Sequence, residues 1–204
     1  VHPLGNLYLE TGLNDKGIFI ELNNGMASDP RCVAGLEDTV SVLVTVLNEC
    51  STVKEAADYL VGRPADMAYI IQVADEKGCV SVERATFGAR IRPGEQEGVI
   101  AAYNNFILPY PEEWAGRVAD PPATKEDPRY ENLIELANSD RFFKHLDVDG
   151  MKKLMDIGVG EGGAVHGGTV LQVIASPKQM SLWIRGLDYS DWQEVRLEGL
   201  LSRN

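Results

Sequence analysis

Clustered positive charge is the first thing this sequence lacks. Its 19 lysines and arginines form no run and stand against 31 acidic residues, for a formal charge of −12. Nucleic-acid binding requires grouped cations to neutralise phosphates, so that class of partner is excluded. Long apolar runs are missing too. Nothing approaches the ~18 residues that cross a bilayer, and the opening VHPLGNLYLE has neither a basic n-region nor an apolar h-region. No membrane partner is expected. Cysteine is sparse: Cys32, Cys50 and Cys79 are an odd number without metal-like spacing. They read as free thiols, which favours a reducing compartment, the cytoplasm, with localisation otherwise unknown. The histidines His2, His145 and His166 are scattered and none lies in an H-E-x-x-H arrangement. No metal and no cofactor is expected. There is no G-x-S-x-G elbow, so a serine hydrolase of that type has no support.

What is present is enough for one domain with a full core, residues 1–204. The chain is organised around Leu7–Gly25, LYLETGLNDKGIFIELNNG. Two strand-like runs, Leu7–Thr11 and Ile18–Leu22, flank the turn Asn14-Asp15-Lys16-Gly17, whose residues tolerate left-handed backbone. Ile18, Ile20 and Leu22 alternate with Phe19 and Glu21, the period of a strand with one face in a core. The strand ends on Asn23-Asn24-Gly25. Such amides either close a hairpin as turn formers or donate a hydrogen bond to a substrate.

Beyond a loop at Met26–Gly35, apolar Val40, Leu43, Val44 and Leu47 predict a helix over Leu36–Glu49, with Asp38 or Thr39 as cap. Thr52-Val53-Lys54-Glu55 is a capping box for a second helix through Leu60, ended by Gly62 and Pro64. Met67–Ala74 and Cys79–Ala85 make a hairpin about Asp75-Glu76-Lys77-Gly78. Thr86–Arg92 and Val99–Asn104 read as two further strands joined at Pro93-Gly94-Glu95, the last ending in Tyr103-Asn104-Asn105-Phe106. Prolines 109, 111, 121 and 122 make Ile107–Glu126 a loop, with Trp114 as its anchor. Asp127-Pro128 is an N-cap plus N1 pair for a helix through Asn138, and Asp149–Asp156 predicts a short one. Thr169–Ala175, Met180–Arg185 and Trp192–Leu197 predict three closing strands. Tight hairpins with few crossovers imply antiparallel sheets with helices packed on them, an α+β fold.

Three motif matches carry less than their strings suggest. Gly158-Val159-Gly160-Glu161-Gly162-Gly163 fits G-x-G-x-x-G, but a helix precedes it and a strand comes after it, the reverse of a dinucleotide site. It reads as a mobile glycine loop. Asp147-Val148-Asp149-Gly150 resembles part of a calcium loop, yet Asp156 stands where the bidentate Glu belongs, so a helix cap is expected. Cys50-Ser51 has the look of an N-terminal nucleophile but is internal and has no free α-amine. A buried structural thiol is expected there.

The segment G-L-N-D-K-G followed by a hydrophobic strand and L-N (Gly12–Asn23) resembles the choloylglycine hydrolase and acyl-coenzyme A:6-aminopenicillanic acid acyltransferase group. These are N-terminal nucleophile (Ntn) hydrolases that cut linear amide bonds. Thr52–Asn104 is similar to the group's pattern of T-x-x-E-A, strand, A-D-x-x-G, strand, T-N-x-F, with Tyr103 in place of the usual Thr. Glu126–Tyr130 resembles its S-x-x-R helix opening, with Glu126 for Ser, and Thr169–Trp183 matches the closing T-(hydrophobic)-S-P-K-x-x-x-L-W pattern. The resemblance spans Leu9 to Leu197 through the order and spacing of its parts.

The resemblance implies an αββα sandwich of antiparallel sheets flanked by helices, incomplete at its N-terminus. It implies that Asn23 (with Asn24 as near alternative) and Asn104 hold the oxyanion, and that Arg129 steadies the catalytic groups electrostatically. Those three residues should converge on one pocket. The nucleophilic Cys belongs several tens of residues before the Gly12–Gly17 turn. The start at Val1 rather than Met therefore reads as the C-terminal part of a longer, autoproteolytically matured enzyme, a hydrolase or acyltransferase of linear amides. This chain alone is then expected to be inactive, its partners being a small-molecule amide substrate and the missing N-terminal segment of the same gene product. A homo-oligomer stays open. The other reading is a non-catalytic binding or scaffold domain that kept the fold without the nucleophile.

Overall fold

A four-residue turn fixes the geometry of the first half. In the computed structural model, which describes residues 9–63, 65–92, 94, 98–119, 127–197 and 200, β1 (Thr11–Leu13) and β2 (Phe19–Asn24) form an antiparallel hairpin around Asn14–Gly17. Gly17 has φ 82°, the left-handed backbone that closes the turn. Thr11 pairs with Glu21 and Leu13 with Phe19, so the first strand lies further along the chain than the expected Leu7–Thr11. The leading residues of that expectation, Leu7 and Tyr8, lie outside the described residues, as do Val1, His2, Pro64, Pro93, Glu95, Pro121, Pro122 and Glu126.

Asn14 fastens this hairpin to a helix. Its Oδ1 accepts from the Lys16 and Ile18 amides at 3.0 and 2.7 Å, and its Nδ2 donates to the Leu47 and Cys50 carbonyls at 2.9 and 3.0 Å. All four hydrogen-bonding positions of the carboxamide are thereby used. Those carbonyls belong to the end of α1 (Thr39–Glu49), where the last C=O groups have no partner within the helix. Lys16 Nζ donates to the Asn48 and Glu49 carbonyls, both at 3.1 Å. At its other end α1 is capped by Asp38, which accepts the Ser41 N–H at 2.9 Å. The buried stripe is Thr39, Val42, Leu43 and Val46, not the expected Val40, Leu43, Val44 and Leu47; Val44 is 45% exposed. Thr39 sets this phase, because its hydroxyl is drawn inward to donate to the Asp66 carboxylate.

The capping box of α2 (Val53–Val61) is present with one change. Thr52 Oγ1 accepts the Glu55 N–H at 3.1 Å, while Glu55 Oε2 accepts the Ser51 N–H at 2.8 Å instead of that of Thr52. With β3 (Tyr69–Ala74), β4 (Cys79–Ala85) and β5 (Gly88–Arg92), the hairpin completes a five-stranded antiparallel sheet in the order β1-β2-β3-β4-β5. One face is apolar: Ile18, Ile20, Ile71, Val73 and Val82 pack with Val42, Leu43, Val46, Ala56, Ala57 and Leu60.

The opposite face carries the sheet's polar side chains together with a second apolar cluster, in which Ile70 and Ala85 pack with Phe106 and Trp114. Register places Thr11, Glu21, Gln72, Ser81 and Arg92 in one row across all five strands. Beside that row Glu83 is 0% exposed. It accepts from Arg90 Nε at 2.7 Å and the Ile107 N–H at 2.9 Å and pairs with Arg92 at 3.3 Å. The expected strand Val99–Asn104 does not form: Val99 makes a single bridge and residues 100–104 are irregular. Side chains, in place of a ladder, hold residues 100–106. Arg92 donates to the Ala101 carbonyl, and Ser28 Oγ accepts the Phe106 N–H at 2.9 Å. Trp114 anchors the proline-rich loop as expected, 3% exposed and edge-on to Phe87 at 5.3 Å.

Two compact units divide the chain, Val1–Ala123 and Thr124–Asn204. The second holds α3 (Arg129–Asn138), α4 (Val148–Leu154), and an antiparallel sheet of β6 (Leu171–Ser176), β7 (Ser181–Gly186) and β8 (Gln193–Arg196). Asp147 caps α4 by accepting the Gly150 N–H at 2.8 Å, the cap expected of that acidic stretch. Phe142, Leu154 and Ile157 form the buried cluster, with Leu133, Leu136 and Leu146 against it. The glycine-rich stretch is a hydrogen-bonded turn: the Gly163 N–H donates to Gly158 O at 2.8 Å, and Asn132 Nδ2 donates to Gly163 O at 2.8 Å. Glycine is required at 163, where a Cβ would lie 2.0 Å from the Ile157 carbonyl.

Replacing Asn14 by Ala strands two helix-end carbonyls and two turn amides, and is expected to cost about 2–4 kcal/mol in chemical denaturation. A loss below about 0.5 kcal/mol, the level of an ordinary surface substitution, would contradict the role given to this side chain.

Candidate functional site

The two asparagines that end β2 have different tasks. Asn24 is exposed, and its Oδ1 accepts the Met26 N–H at 2.8 Å, the local bond by which Asn closes a turn. Asn23 is half-buried opposite Ile70, and its Nδ2 donates to Glu21 Oε2 at 3.1 Å. Its side chain belongs to the polar face of the sheet, because Glu21 and Asn23 are two residues apart on one strand.

Asn104 reaches the same place from a different segment. It lies on the irregular stretch after β5, and its Nδ2 donates to the Asn24 carbonyl at 3.1 Å. Asn104 is thus joined to the backbone of Asn24, the residue after Asn23, at one end of the five-stranded sheet. The ground beneath them is firmly held. Asp29, 0% exposed, accepts from the Thr86 N–H at 2.9 Å, the Thr86 hydroxyl at 2.7 Å and Arg31 Nε at 2.6 Å. Burial works to raise this carboxyl, but the bonds from Arg31 and Thr86 outweigh it and hold the group below the usual carboxylate range.

Arg129, the third expected residue, stands in the second unit. Its Nε and Nη2 donate to the two oxygens of Asp127 at 2.7 and 2.6 Å, a two-point ion pair. The bonds from Arg129 draw the Asp127 carboxyl below its ordinary value. This corrects the expected N-cap: Pro128 occupies that position without a side-chain bond, and the helix begins at Arg129. A cation in the first turn opposes the helix dipole, and the adjacent carboxylate compensates it.

Cys50 and Cys79 do not resemble activated nucleophiles. Cys50 is buried at the end of α1, and burial pushes its thiol up, as expected of a structural residue. Burial raises Cys79 as well. Among the described residues no group of three or more His, Cys, Asp and Glu could hold a metal ion, and no helix is long and apolar enough to cross a membrane.

Glu21 was not singled out in the sequence, yet it is the most perturbed carboxyl of this region. Burial, then the charge of Glu10, raises it from 4.5 to about 7. The available signal was its position two residues before Asn23 on the strand face opposite Ile20 and Leu22.

No family model matches the chain, and no curated protein matches it. Solved structures do. A mutant conjugated bile acid hydrolase from Clostridium perfringens superposes with a TM-score of 0.57 at 11% identity, over 94% of this chain and 73% of that one. The chain thus has an α+β fold, as expected, and shares it with that hydrolase. At that identity the similarity concerns the fold relationship alone.

The raised pKa of Glu21 makes folding pH-dependent. The folded state favours the protonated carboxyl, so its contribution is full below about 4.5 and is lost as pH rises through about 7. Glu21→Gln should remove this dependence, gaining up to about 3 kcal/mol over the parent above neutrality and little at pH 4. Denaturation midpoints of the two proteins from pH 4 to 9 would show it; parallel curves across that range would contradict the assignment.

Proposed function

We propose that this chain carries the oxyanion and substrate side of a linear-amide C–N hydrolase or acyltransferase of the Ntn type. The observation that supports the reading is the bond from Asn104 to the Asn24 carbonyl, next in sequence to Asn23, in a fold shared with a conjugated bile acid hydrolase. Two carboxamides from separate segments provide N–H donors, Asn23 held by the Glu21 carboxylate and Asn104 by the Asn24 carbonyl, and fixed donors stabilise an oxyanion because they need no reorganisation as charge develops.

The chemistry requires a nucleophile that the described thiols do not offer. An N-terminal Cys, contributed by a segment of the same gene product preceding this one, supplies it, with its own α-amine as the adjacent base. The thiolate adds to the amide carbonyl, and the resulting oxyanion is met by Asn23 and Asn104. Collapse expels the amine and leaves an acyl-enzyme, which water resolves in hydrolysis and a second amine resolves in acyl transfer. Arg129, to which the resemblance assigns an electrostatic role, lies in the second unit and is paired there with Asp127.

The substrate is a small amide whose acyl group distinguishes bile salts, penicillins, acyl-homoserine lactones and peptides. Turnover of a conjugated bile acid, penicillin V and an acyl-homoserine lactone by the product of the full gene tests the reading. Asn23→Ala and Asn104→Ala should each lower kcat by about 10²–10³ with the fold intact, whereas Asn24→Ala should change it less than about tenfold, since that amide serves a turn. Absence of turnover on every linear amide, with a ligand still bound, would favour the non-catalytic binding domain instead.

A further inference from the structure

Glu21 has no part in the acyl-transfer chemistry, yet it touches one of the two residues on which that chemistry rests. Its Oε2 accepts from Asn23 Nδ2 at 3.1 Å, and this bond orients the carboxamide plane. Directly opposite, on β3, stands Gln72, which donates through Nε2 to Ser81 Oγ at 3.0 Å while its Oε1 is buried without a hydrogen-bond partner. Residues in direct register lie with Cβ atoms about 4.5–5.5 Å apart, within reach of a shared hydrogen bond. The row Glu21, Gln72, Ser81, to which Asn23 is bonded from along β2, therefore has one defect: an acceptor without a donor next to a carboxyl that holds its proton more tightly than usual.

We propose that Glu21 is a positioning residue for Asn23, its carboxyl taking one amide proton of the carboxamide so that the other is presented to the oxyanion. The proposal rests on the amide-hydrolase reading for its catalytic consequence. Its structural content is independent of that reading. A protonated Glu21 has one O–H to donate, and Gln72 Oε1 is the buried acceptor that lacks one. An ionised Glu21 has no proton for Gln72 and binds the Asn23 N–H through a stronger, charge-assisted bond. The two states thus differ in how firmly Asn23 is held.

The groups that set this equilibrium are few. Glu10, just before β1, carries the charge that opposes ionisation; from β1 the facing residue is the uncharged Thr11, from β3 the uncharged Gln72, and from β2 itself Asn23. With the carboxyl raised to about 7, the switch between the two states falls near neutrality. The firmer hold on Asn23, and with it kcat, increases as pH rises through that value.

Two measurements on the product of the full gene decide the matter. In the first, the side-chain amide resonances of Asn23, assigned through Asn23→Ala, are followed from pH 5 to 9. They should titrate with a midpoint near 7 in the parent and stay fixed in Glu21→Gln. Resonances that do not move in the parent overturn the proposal whether or not the protein is an enzyme. In the second, hydrolysis of glycocholate, or of penicillin V where that is turned over faster, is measured in parent, Glu21→Gln and Glu21→Asp. The expected result is a kcat about tenfold lower in Glu21→Gln with KM little changed, the limb near pH 7 abolished, and both partly restored in Glu21→Asp. Unaltered kcat and pH profile in Glu21→Gln would also overturn it. A titrating Asn23 in a protein that turns over neither amide would refute the hydrolase reading while leaving the Glu21–Asn23 coupling established.

Discussion

The first unit depends on the carboxamide of Asn14. One side chain closes the turn that sets the β1–β2 register and also satisfies the exposed carbonyl end of α1. A buried amide with every position bonded is worth more than its separate bonds, because removing it leaves four groups of the backbone unsatisfied at once. Lys16 adds a cation at the same helix end, where the dipole favours it. Register and helix position are therefore set together. Since a shift of one residue would exchange the faces of a strand, the same contact decides that Ile18, Ile20 and Leu22 meet the helices and that Glu21 and Asn23 do not.

That division gives the five-stranded sheet two unlike surfaces. The helix-covered side is held by burial of aliphatic residues, and the other by a second apolar cluster about Ile70, Phe106 and Trp114 together with hydrogen bonds and ion pairs, of which the enclosed Glu83 with Arg90 and Arg92 is the most demanding. Burying a carboxylate is tolerated only with such partners, and loss of one would leave a charge unpaired. On the polar side lie the donors of the proposed chemistry: Asn23 near the end of β2, bonded to Glu21, and Asn104, bonded to the Asn24 carbonyl.

Most of the fold was legible because it is written locally. The turn residues at Asn14–Gly17 and Asp75–Gly78, the caps Asp38, Thr52 and Asp147, and the alternation in β2 and β4 each act over a few positions. The phase of α1 was not legible, since Thr39 is drawn inward by Asp66, a residue distant in sequence. Nor was the loss of the strand at Val99–Asn104, whose backbone is held by Arg92 and by the Asn104–Asn24 contact in place of a ladder. At the site, Asn23 and Asn104 came from a family resemblance in order and spacing. The contact of Asn104 with the Asn24 carbonyl is tertiary. Glu21 escaped notice because a strand Glu on the face away from an apolar core ordinarily faces water, and only the enclosure of the carboxyl beside Glu10 makes it unusual.

The central claim is that these donors serve a thiol at the N-terminus of a matured chain. N-terminal sequencing with intact mass, on the protein made from its full gene, tests it most directly. The account predicts a mature chain that opens on Cys, some tens of residues ahead of Val1, with the preceding residues removed. A mature chain whose first residue has no nucleophilic side chain would contradict it, and Asn23 and Asn104 would then be part of a binding surface and not of an active site.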